Sequence, residues 1–136
     1  MIFNTTHRND EDKEIIDQLM GKAYTLWQSI KIGGTGSKRM IIEEVSSSFT
    51  PYLNTVADIN YGNIELRPNG ILIHIAKGLK NFTWAIPYYK LVVFKTNGIS
   101  FHANGDFIRF KGNVTYKENK RFIDKLMTLK LEFNQG

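Results

Sequence analysis

The chain has 136 residues and a net charge of +5 at pH 7. This length is enough for one domain with a single hydrophobic core. The chain contains no cysteine, which excludes a disulfide framework, thiolate chemistry and cysteine-bound metal. No apolar run reaches the roughly 18 residues that suggest a membrane span. The first residues also lack the basic and apolar regions of a secretory signal. If the sequence is the full-length chain, we expect a soluble, cytoplasmic protein.

The positive charge lies in the second half of the chain. Residues 59–136 hold twelve Lys and Arg against five Asp and Glu, a net charge of +7, whereas residues 1–58 carry −2. This asymmetry indicates an anionic partner. However, thirteen of the eighteen basic residues are Lys. Because Arg can donate two parallel hydrogen bonds to a phosphate and Lys cannot, this ratio weakens an interpretation as a nucleic-acid-binding protein. A solvated surface that only keeps the protein soluble is the competing interpretation.

The first predicted element is a helix over residues 9–32. Asn9 is a good N-cap, and the acidic residues that follow it suit the positive end of the helix dipole. Gly33 and Gly34 end the helix. Its apolar residues recur at i, i+3, i+4 and i+7 and form one broad stripe: Ile15, Ile16, Leu19, Met20, Ala23, Leu26, Trp27 and Ile30. We expect this stripe to pack on a sheet or, alternatively, on a partner or a second copy in a homodimer.

Residues 33–38, Gly-Gly-Thr-Gly-Ser-Lys, superficially resemble a phosphate-binding loop. The pattern fails because Arg39, and not Ser or Thr, follows Lys38, and because the loop leaves a helix whereas a phosphate loop leaves a strand. A flexible linker is the better interpretation. We therefore divide the chain into a helix with its linker, residues 1–37, and a β-meander with a closing helix, residues 38–136, within one compact unit.

Residues 38–58 are the hardest to interpret. A strand is predicted over residues 39–45, and a short helix capped by Ser37 is the alternative. Thr50 before Pro51 fits an N-cap followed by proline at the first helical position. This pair predicts a helical turn over residues 52–57.

The stretch from residue 59 to residue 111 predicts an antiparallel meander. Short strand-like runs alternate with the turn signals Pro68-Asn69-Gly70, Asn97-Gly98 and Asn104-Gly105. Period-two alternation makes one face strongly apolar: Ile71, Ile73, Ile75, Phe82, Trp84, Ile86, Ile99 and Phe101. The opposite face is mixed, so we expect a sheet that is wet on one side.

A second helix is predicted over residues 116–133, opened by a capping box of Thr115 and Glu118. Its apolar stripe should pack on the sheet: Phe122, Ile123, Leu126, Met127, Leu129 and Phe133. The predicted class is α+β, a bent antiparallel sheet or partly open barrel of six or seven strands with a C-terminal helix and an extra N-terminal helix.

Two segments resemble a known superfold. Gly70-Ile71-Leu72-Ile73 through Trp84-Ala85-Ile86-Pro87-Tyr88 is similar to the strand pair and Ile-Pro step of pleckstrin-homology (PH) domains, including the bacterial PH-like and GRAM-like branches. Phe107-Ile108-Arg109-Phe110, with the run from Arg121 to Leu126, is similar to their last strand and closing helix. The resemblance covers residues 59–133 and implies a PH-like scaffold of seven strands, which the strand at 39–45 would complete. It does not imply a phosphoinositide site, because the loop Lys77-Gly78-Leu79-Lys80 lacks the required arginine.

The sequence contains no catalytic constellation. There is no Gly-x-Ser-x-Gly motif, and a general acid and base built from Glu65 and Asp106 would have no further support. His74 and His102 fall on the mixed face, but zinc wants three or four ligands. Two half-exposed sheet histidines are the better interpretation. We predict a non-catalytic protein without a metal or cofactor.

The predicted function is a binding or adaptor module that contacts an acidic protein or an anionic ligand through a basic rim. The candidate ligand-binding residues are Lys77, Lys80, Tyr88, Arg109 and Lys111. Arg109 and Lys111 share one face of the last strand, so their charges add. The alternative is a nucleic-acid-binding protein, with Tyr88 and Tyr89 as stacking platforms. Packing of these tyrosines at a strand bend is the competing interpretation.

Overall fold

The computed structural model describes residues 1–54 and 59–135. Its strands are β1 (Ile2–Asn4), β2 (Met40–Val45), β3 (Asn60–Arg67), β4 (Gly70–Lys77), β5 (Lys80–Pro87), β6 (Val92–Phe94), β7 (Ile99–Ala103) and β8 (Asp106–Phe110). Its α-helices are α1 (Asp10–Met20), α2 (Leu26–Ile32), α3 (Val114–Lys117) and α4 (Lys120–Gln135). Two 3-10 helices cover Ser47–Tyr52 and Tyr88–Lys90. The predicted α+β class is confirmed.

All eight strands form one open antiparallel sheet in the order β1-β5-β4-β3-β2-β8-β7-β6. β2 joins its two halves, because Ile42 lies opposite Asn60 of β3 on one side and Phe110 of β8 on the other. The strand predicted over residues 39–45 is therefore confirmed. Six or seven strands were predicted, and β2 to β8 are the seven predicted strands. β1 is an eighth strand that the sequence analysis did not predict, and it pairs Ile2 with Trp84 of β5.

The Asn-Gly hairpins form as predicted. Asn97 and Asn104 both have a φ of +52°, and Gly98 and Gly105 follow them at +96° and +81°. Two successive residues at positive φ match the twist of an antiparallel hairpin. These turns hold β6, β7 and β8 in one meander.

The apolar face predicted from alternation is confirmed, and we call it the inner face. Its buried side chains on β4, β5 and β7 are Ile71, Ile73, Ile75, Trp84, Ile86, Ile99 and Phe101. Helix α4 closes this face with Phe122, Ile123 and Leu126, which are buried in the same core. The C-terminal helix thus packs on the sheet as predicted.

The helix predicted over residues 116–133 is interrupted, and its predicted cap is wrong. Asn113 caps α3 by accepting the Thr115 N–H (3.0 Å). Between α3 and α4, Asn119 is buried; its Oδ1 accepts the Lys38 N–H (2.9 Å) and its Nδ2 donates to the Lys38 carbonyl (3.2 Å). The chain breaks here because Asn119 satisfies the backbone that leads into β2, which a regular helix would leave without these partners.

The helix predicted over residues 9–32 is also two helices. Gly21 ends α1 at a φ of +79°, and a Cβ there would lie 3.1 Å from Cβ of Pro68 in the β3–β4 turn. Helix α2 then begins afresh, with Thr25 and Gln28 as a reciprocal capping box. The turn occupies the space that a continuous helix would need, so tertiary packing overrides the apolar periodicity.

Helix α1 covers part of the opposite, outer face. Its N-cap is Asn9 as predicted, accepting the N–H groups of Glu11 (3.0 Å) and Asp12 (3.1 Å). A small second core lies beneath it: Phe3, Ile16, Met20, Leu72 and Ala85. The outer face is therefore not wet over β1, β4 and β5, contrary to expectation.

The glycine-rich stretch after α2 is not a flexible linker. Gly33 ends α2 in the left-handed region at φ +81°, as predicted. Thr35 then accepts the Leu66 N–H (2.7 Å), and Ser37 donates its N–H to the Ile64 carbonyl (2.8 Å). These bonds run along β3 beside the start of β2, so the stretch is held as an extension of the sheet.

A 3-10 helix precedes the undescribed residues. It covers Ser47–Tyr52 with Pro51 inside, and it buries Phe49 edge-on against Trp84, with ring centroids 4.7 Å apart. Half of the helical turn predicted over residues 52–57, residues 55–57, lies outside the described residues, and Leu53 is extended and not helical. The described part shows that the helical turn begins before Thr50 and not after it.

Candidate functional site

The two predicted lysines of the β4–β5 turn lie at the rim of the inner face. By alternation, Lys77 shares the side of Ile75, and its Nζ donates to the Pro51 carbonyl (2.8 Å). Lys80 lies opposite Lys77 in the register and is exposed. One of the two charges is therefore already engaged by the protein's own backbone.

The two predicted basic residues of β8 lie elsewhere. Arg109 alternates with the buried Ile108 and therefore points to the outer face. Its guanidinium pairs with Glu43 (3.2 Å) and Glu44 (3.0 Å) of β2. Lys111 is exposed beside it. The structure does not bring Lys77 and Arg109 onto one surface, and the charge of Arg109 is balanced by two carboxylates.

The two candidate stacking tyrosines have opposite environments. Tyr88 is 1% exposed, with its ring 5.7 Å from that of Phe133, so it is packed, as the competing interpretation held, and cannot serve as a stacking platform. Burial raises the pKa of its hydroxyl far above the ordinary value. Within residues 1–54 and 59–135 that hydroxyl has no hydrogen-bond partner. Tyr89 is 66% exposed, and Lys90 Nζ lies 5.6 Å from its ring.

A chain of polar contacts crosses the outer face, and we call it the clasp. Arg67 Nε donates to Glu65 (2.6 Å), and its Nη1 donates to Asp17 of α1 and to the Gly21 carbonyl (both 3.0 Å). His74 Nε2 lies 3.2 Å from the other oxygen of Glu65. The clasp thus connects α1 to β3 through Asp17 and Arg67, and β3 to β4 through Glu65 and His74.

Two carboxyl groups of the clasp have shifted pKa values. Burial raises the pKa of Glu65, but hydrogen bonds from His74 and Arg67 outweigh burial, and the net shift is downward. The hydrogen bond from Lys13 contributes most to the lowered pKa of Asp17, and Arg67 adds to it. Both groups are thus held as carboxylates in the folded protein.

The clasp lies beside a cleft of about 420 Å³ between α1, residues 4–9 and the outer face. His74 uses both ring nitrogens, one with Glu65 and one with Thr83 (2.9 Å), and Glu65 uses both oxygens. Groups that satisfy one another in this way hold α1 in place, and they leave no free base or nucleophile. Among the described residues, no group of three His, Asp or Glu side chains is placed to hold a metal.

His102 does not join His74. It lies on β7, where its Nε2 is 2.9 Å from Ser100 Oγ and its ring stacks on Phe107 at 5.3 Å. Desolvation lowers the pKa of His102. The two histidines are therefore separate sheet residues.

The solvent side of α2 carries part of the N-terminal apolar stripe, for which a contact with a partner or a second copy was the alternative to packing on the sheet. Leu26, Trp27 and Ile30 are 80%, 69% and 61% exposed. These three side chains and Lys31, which is also exposed, form what we call the α2 surface. A large exposed apolar cluster on a folded protein marks an interaction site. The capping box of Thr25 and Gln28 was a readable signal that a separate helix starts there.

Residues at the two ends of α2 connect it to the rest of the protein. Tyr24 and Ile32 pack against the main core, and Lys125 of α4 donates its Nζ to the Gly34 carbonyl (2.8 Å). Both ends of the helix are capped, by Thr25 and Gly33. The α2 surface is therefore presented on a fixed element.

Basic side chains surround the α2 surface in the sequence. Residues 18–42 contain Lys22, Lys31, Lys38 and Arg39 and no Asp or Glu. All four are exposed, and in the described part of the chain no carboxylate lies within ion-pair distance of them. One carboxylate of another element, Glu132 of α4, lies near Tyr24. The pKa of Tyr24 is raised, mainly by burial and also by the negative charge of Glu132.

Comparison with known proteins found no match to this chain among protein-family models, curated proteins or solved structures. In the described residues, no helix is long and apolar enough to cross a membrane.

Proposed function

We propose that this protein is a non-catalytic binding module on a PH-like scaffold, and that it contacts an anionic partner through the α2 surface. The single observation that carries this proposal is that α2 holds Leu26, Trp27 and Ile30 in solvent on a capped and anchored helix. Apolar side chains of this size are normally buried. Their exposure on the same helix as Lys31, which has no carboxylate within ion-pair distance among the described residues, is what a binding surface requires.

The strand arrangement supports the scaffold part of the proposal. Strands β2 to β8 equal in number the seven strands of the PH superfold, and α4 covers the inner face, where that superfold has its closing helix; both features support the proposal. The predicted partner, an acidic protein or an anionic ligand, is retained. The surface changes, because Arg109 is neutralised and Lys77 is hydrogen-bonded to the backbone.

The two tryptophans provide the test. Trp27 is 69% exposed and Trp84 is 3% exposed, so a change in emission on adding a probe reports on α2. We expect at least one anionic probe among single-stranded DNA, polyglutamate and acidic lipid vesicles to shift Trp27 emission to shorter wavelength. Leu26→Ser with Ile30→Ser should reduce that shift. The control is Leu79→Ser, at the far end of β4, where the side chain is 96% exposed. If no probe shifts the emission of the folded protein, the proposal is wrong.

Nucleic-acid binding is the second candidate, and the exposed Tyr89 ring beside Lys90 favours it. Stacking on one aromatic ring contributes about 1–3 kcal/mol per base. Tyr89→Ala should then weaken binding of single-stranded DNA, and affinity should fall steeply with salt. If Tyr89→Ala leaves DNA affinity unchanged, this ring is not a stacking platform.

A further inference from the structure

The α2 surface also indicates which anionic partner it fits. Along a helix with about 100° per residue, Leu26, Ile30 and Trp27 occupy one arc, and Lys31 lies beside Trp27. Ser29 and Ile32 occupy the opposite arc, towards the protein. The exposed half of α2 is therefore apolar at its centre and basic at one margin.

This surface projects from the protein. Its apolar side chains are 61–80% exposed, so the α2 surface is a projection from the protein and not a cleft. Projecting Leu and Ile side chains with a Trp ring suit the boundary between lipid headgroups and acyl chains, where an indole has an apolar body and a polar N–H. Leu and Ile side chains have no charge for a nucleic-acid phosphate and no hydrogen-bonding group for a base edge.

The segment that contains α2 is positively charged. Residues 18–42 hold four basic residues and no carboxylate, and Lys31 is the basic residue of the α2 surface itself, so the segment is complementary to acidic headgroups. A parallel pair of α2 surfaces would bring Lys31 close to its own counterpart, which disfavours that arrangement of a dimer.

Because α2 is already capped and fixed to α4, it need not fold on binding, unlike a free amphipathic peptide. We propose that the α2 surface docks onto an anionic lipid bilayer, with Leu26, Trp27 and Ile30 entering the headgroup region and Lys31 near the lipid phosphates. This inference rests on the proposed function, since it names the partner of the same surface.

The experiment uses vesicles of equal parts phosphatidylcholine and phosphatidylglycerol, compared with vesicles of phosphatidylcholine alone. We expect the protein to sediment with the mixed vesicles and its Trp27 emission to shift to shorter wavelength. Leu26→Ser with Ile30→Ser should weaken binding at least about tenfold. Lys31→Gln should weaken it about fivefold, because one basic residue near an anionic surface contributes roughly that factor. Lys31→Arg and Leu79→Ser are the matched controls and should bind as the unaltered protein does.

The outcomes separate this inference from the proposed function. A Trp27 shift with polyglutamate or single-stranded DNA but not with mixed vesicles would overturn the lipid inference and leave a binding module. Vesicle binding that is unchanged in the Leu26→Ser, Ile30→Ser variant would also overturn it, because another surface would then be responsible. If no probe shifts Trp27 emission, both are wrong. Circular dichroism and urea unfolding of each variant establish that the fold is intact.

Discussion

Helices α1 and α2 follow one another in the chain and meet opposite surroundings. Helix α1 buries Ile16 and Met20 in the small core of the outer face, whereas α2 has no fully buried residue and leaves three large apolar side chains in solvent. The sheet explains the difference. Helix α4 closes its inner face and α1 covers part of its outer face, whereas α2 buries no residue on either face. An apolar stripe shows which side of a helix is suited to burial, but the available sheet surface decides whether burial occurs.

The largest effect should come from the anchor of α1. Met20→Ala should lower the free energy of unfolding by about 2–5 kcal/mol, because Met20 is fully buried and the change leaves a cavity. Leu26→Ala on α2 should change it by no more than about 0.5 kcal/mol, since that side chain is exposed. Urea unfolding of both variants measures the contrast. Equal destabilisation would contradict the distinction between the two helices.

The clasp should be the next largest contribution. Arg67→Met should cost about 1–3 kcal/mol, because it leaves Glu65 and Asp17 without their shared donor in a partly buried site. Hydrogen exchange should show α1 opening more readily than β4 in this variant. A double-mutant cycle with Asp17→Asn isolates the contact between Arg67 and α1. Additive effects of the two changes would mean that this ion pair does not hold the helix.

The clasp should also make stability depend on pH. The pKa values of Glu65 and Asp17 are lowered in the folded state from ordinary values of 4.5 and 3.8. The unfolded chain therefore binds more protons in that range, so the stabilisation is complete above pH 4.5 and is lost as the pH falls through the folded pKa values. Urea midpoints measured from neutral pH downward should decline there. Glu65→Gln should flatten the decline, and Glu14→Gln, an exposed acid outside the clasp, should leave it unchanged.

A smaller effect on stability is expected at Tyr88. Tyr88 has a buried hydroxyl without a partner among the described residues, and its ring is near Phe133. Tyr88→Phe should therefore stabilise the protein by about 1 kcal/mol, because it removes a desolvated polar group. Tyr88→Leu is the control for loss of the ring and should destabilise. A stability loss in Tyr88→Phe would show that the hydroxyl is satisfied in solution.

Local patterns predicted the sheet well and the helix breaks badly. Asn97 and Asn104 each begin a turn whose conformation is set by that residue and the glycine after it. The alternation of Ile71, Ile73 and Ile75 identifies the buried face of the sheet. The break at Gly21 depends on Pro68, which is distant in the sequence. The break at Asn119 depends on Lys38 for the same reason. The capping box of Thr25 was readable, but the continuous apolar stripe concealed it.

The candidate site was less predictable than the fold. The sequence places Lys77, Arg109 and Lys111 in a basic half, but it does not show that Glu43 and Glu44 neutralise Arg109. Nor does the sequence show that the apolar side chains of the α2 surface remain exposed. Both outcomes are set by strand order, which composition and spacing do not determine.

The pairing of β2 with β8 affects how the chain can fold as it is made. Ile42 lies opposite Phe110, and β1 pairs Ile2 with Trp84. Neither N-terminal strand can complete its pairing until most of the chain has left the ribosome. Contacts so distant in sequence slow folding. During synthesis β2 has an unpaired edge that can join a neighbouring chain. We therefore expect early chaperone contact to favour the native sheet over aggregation.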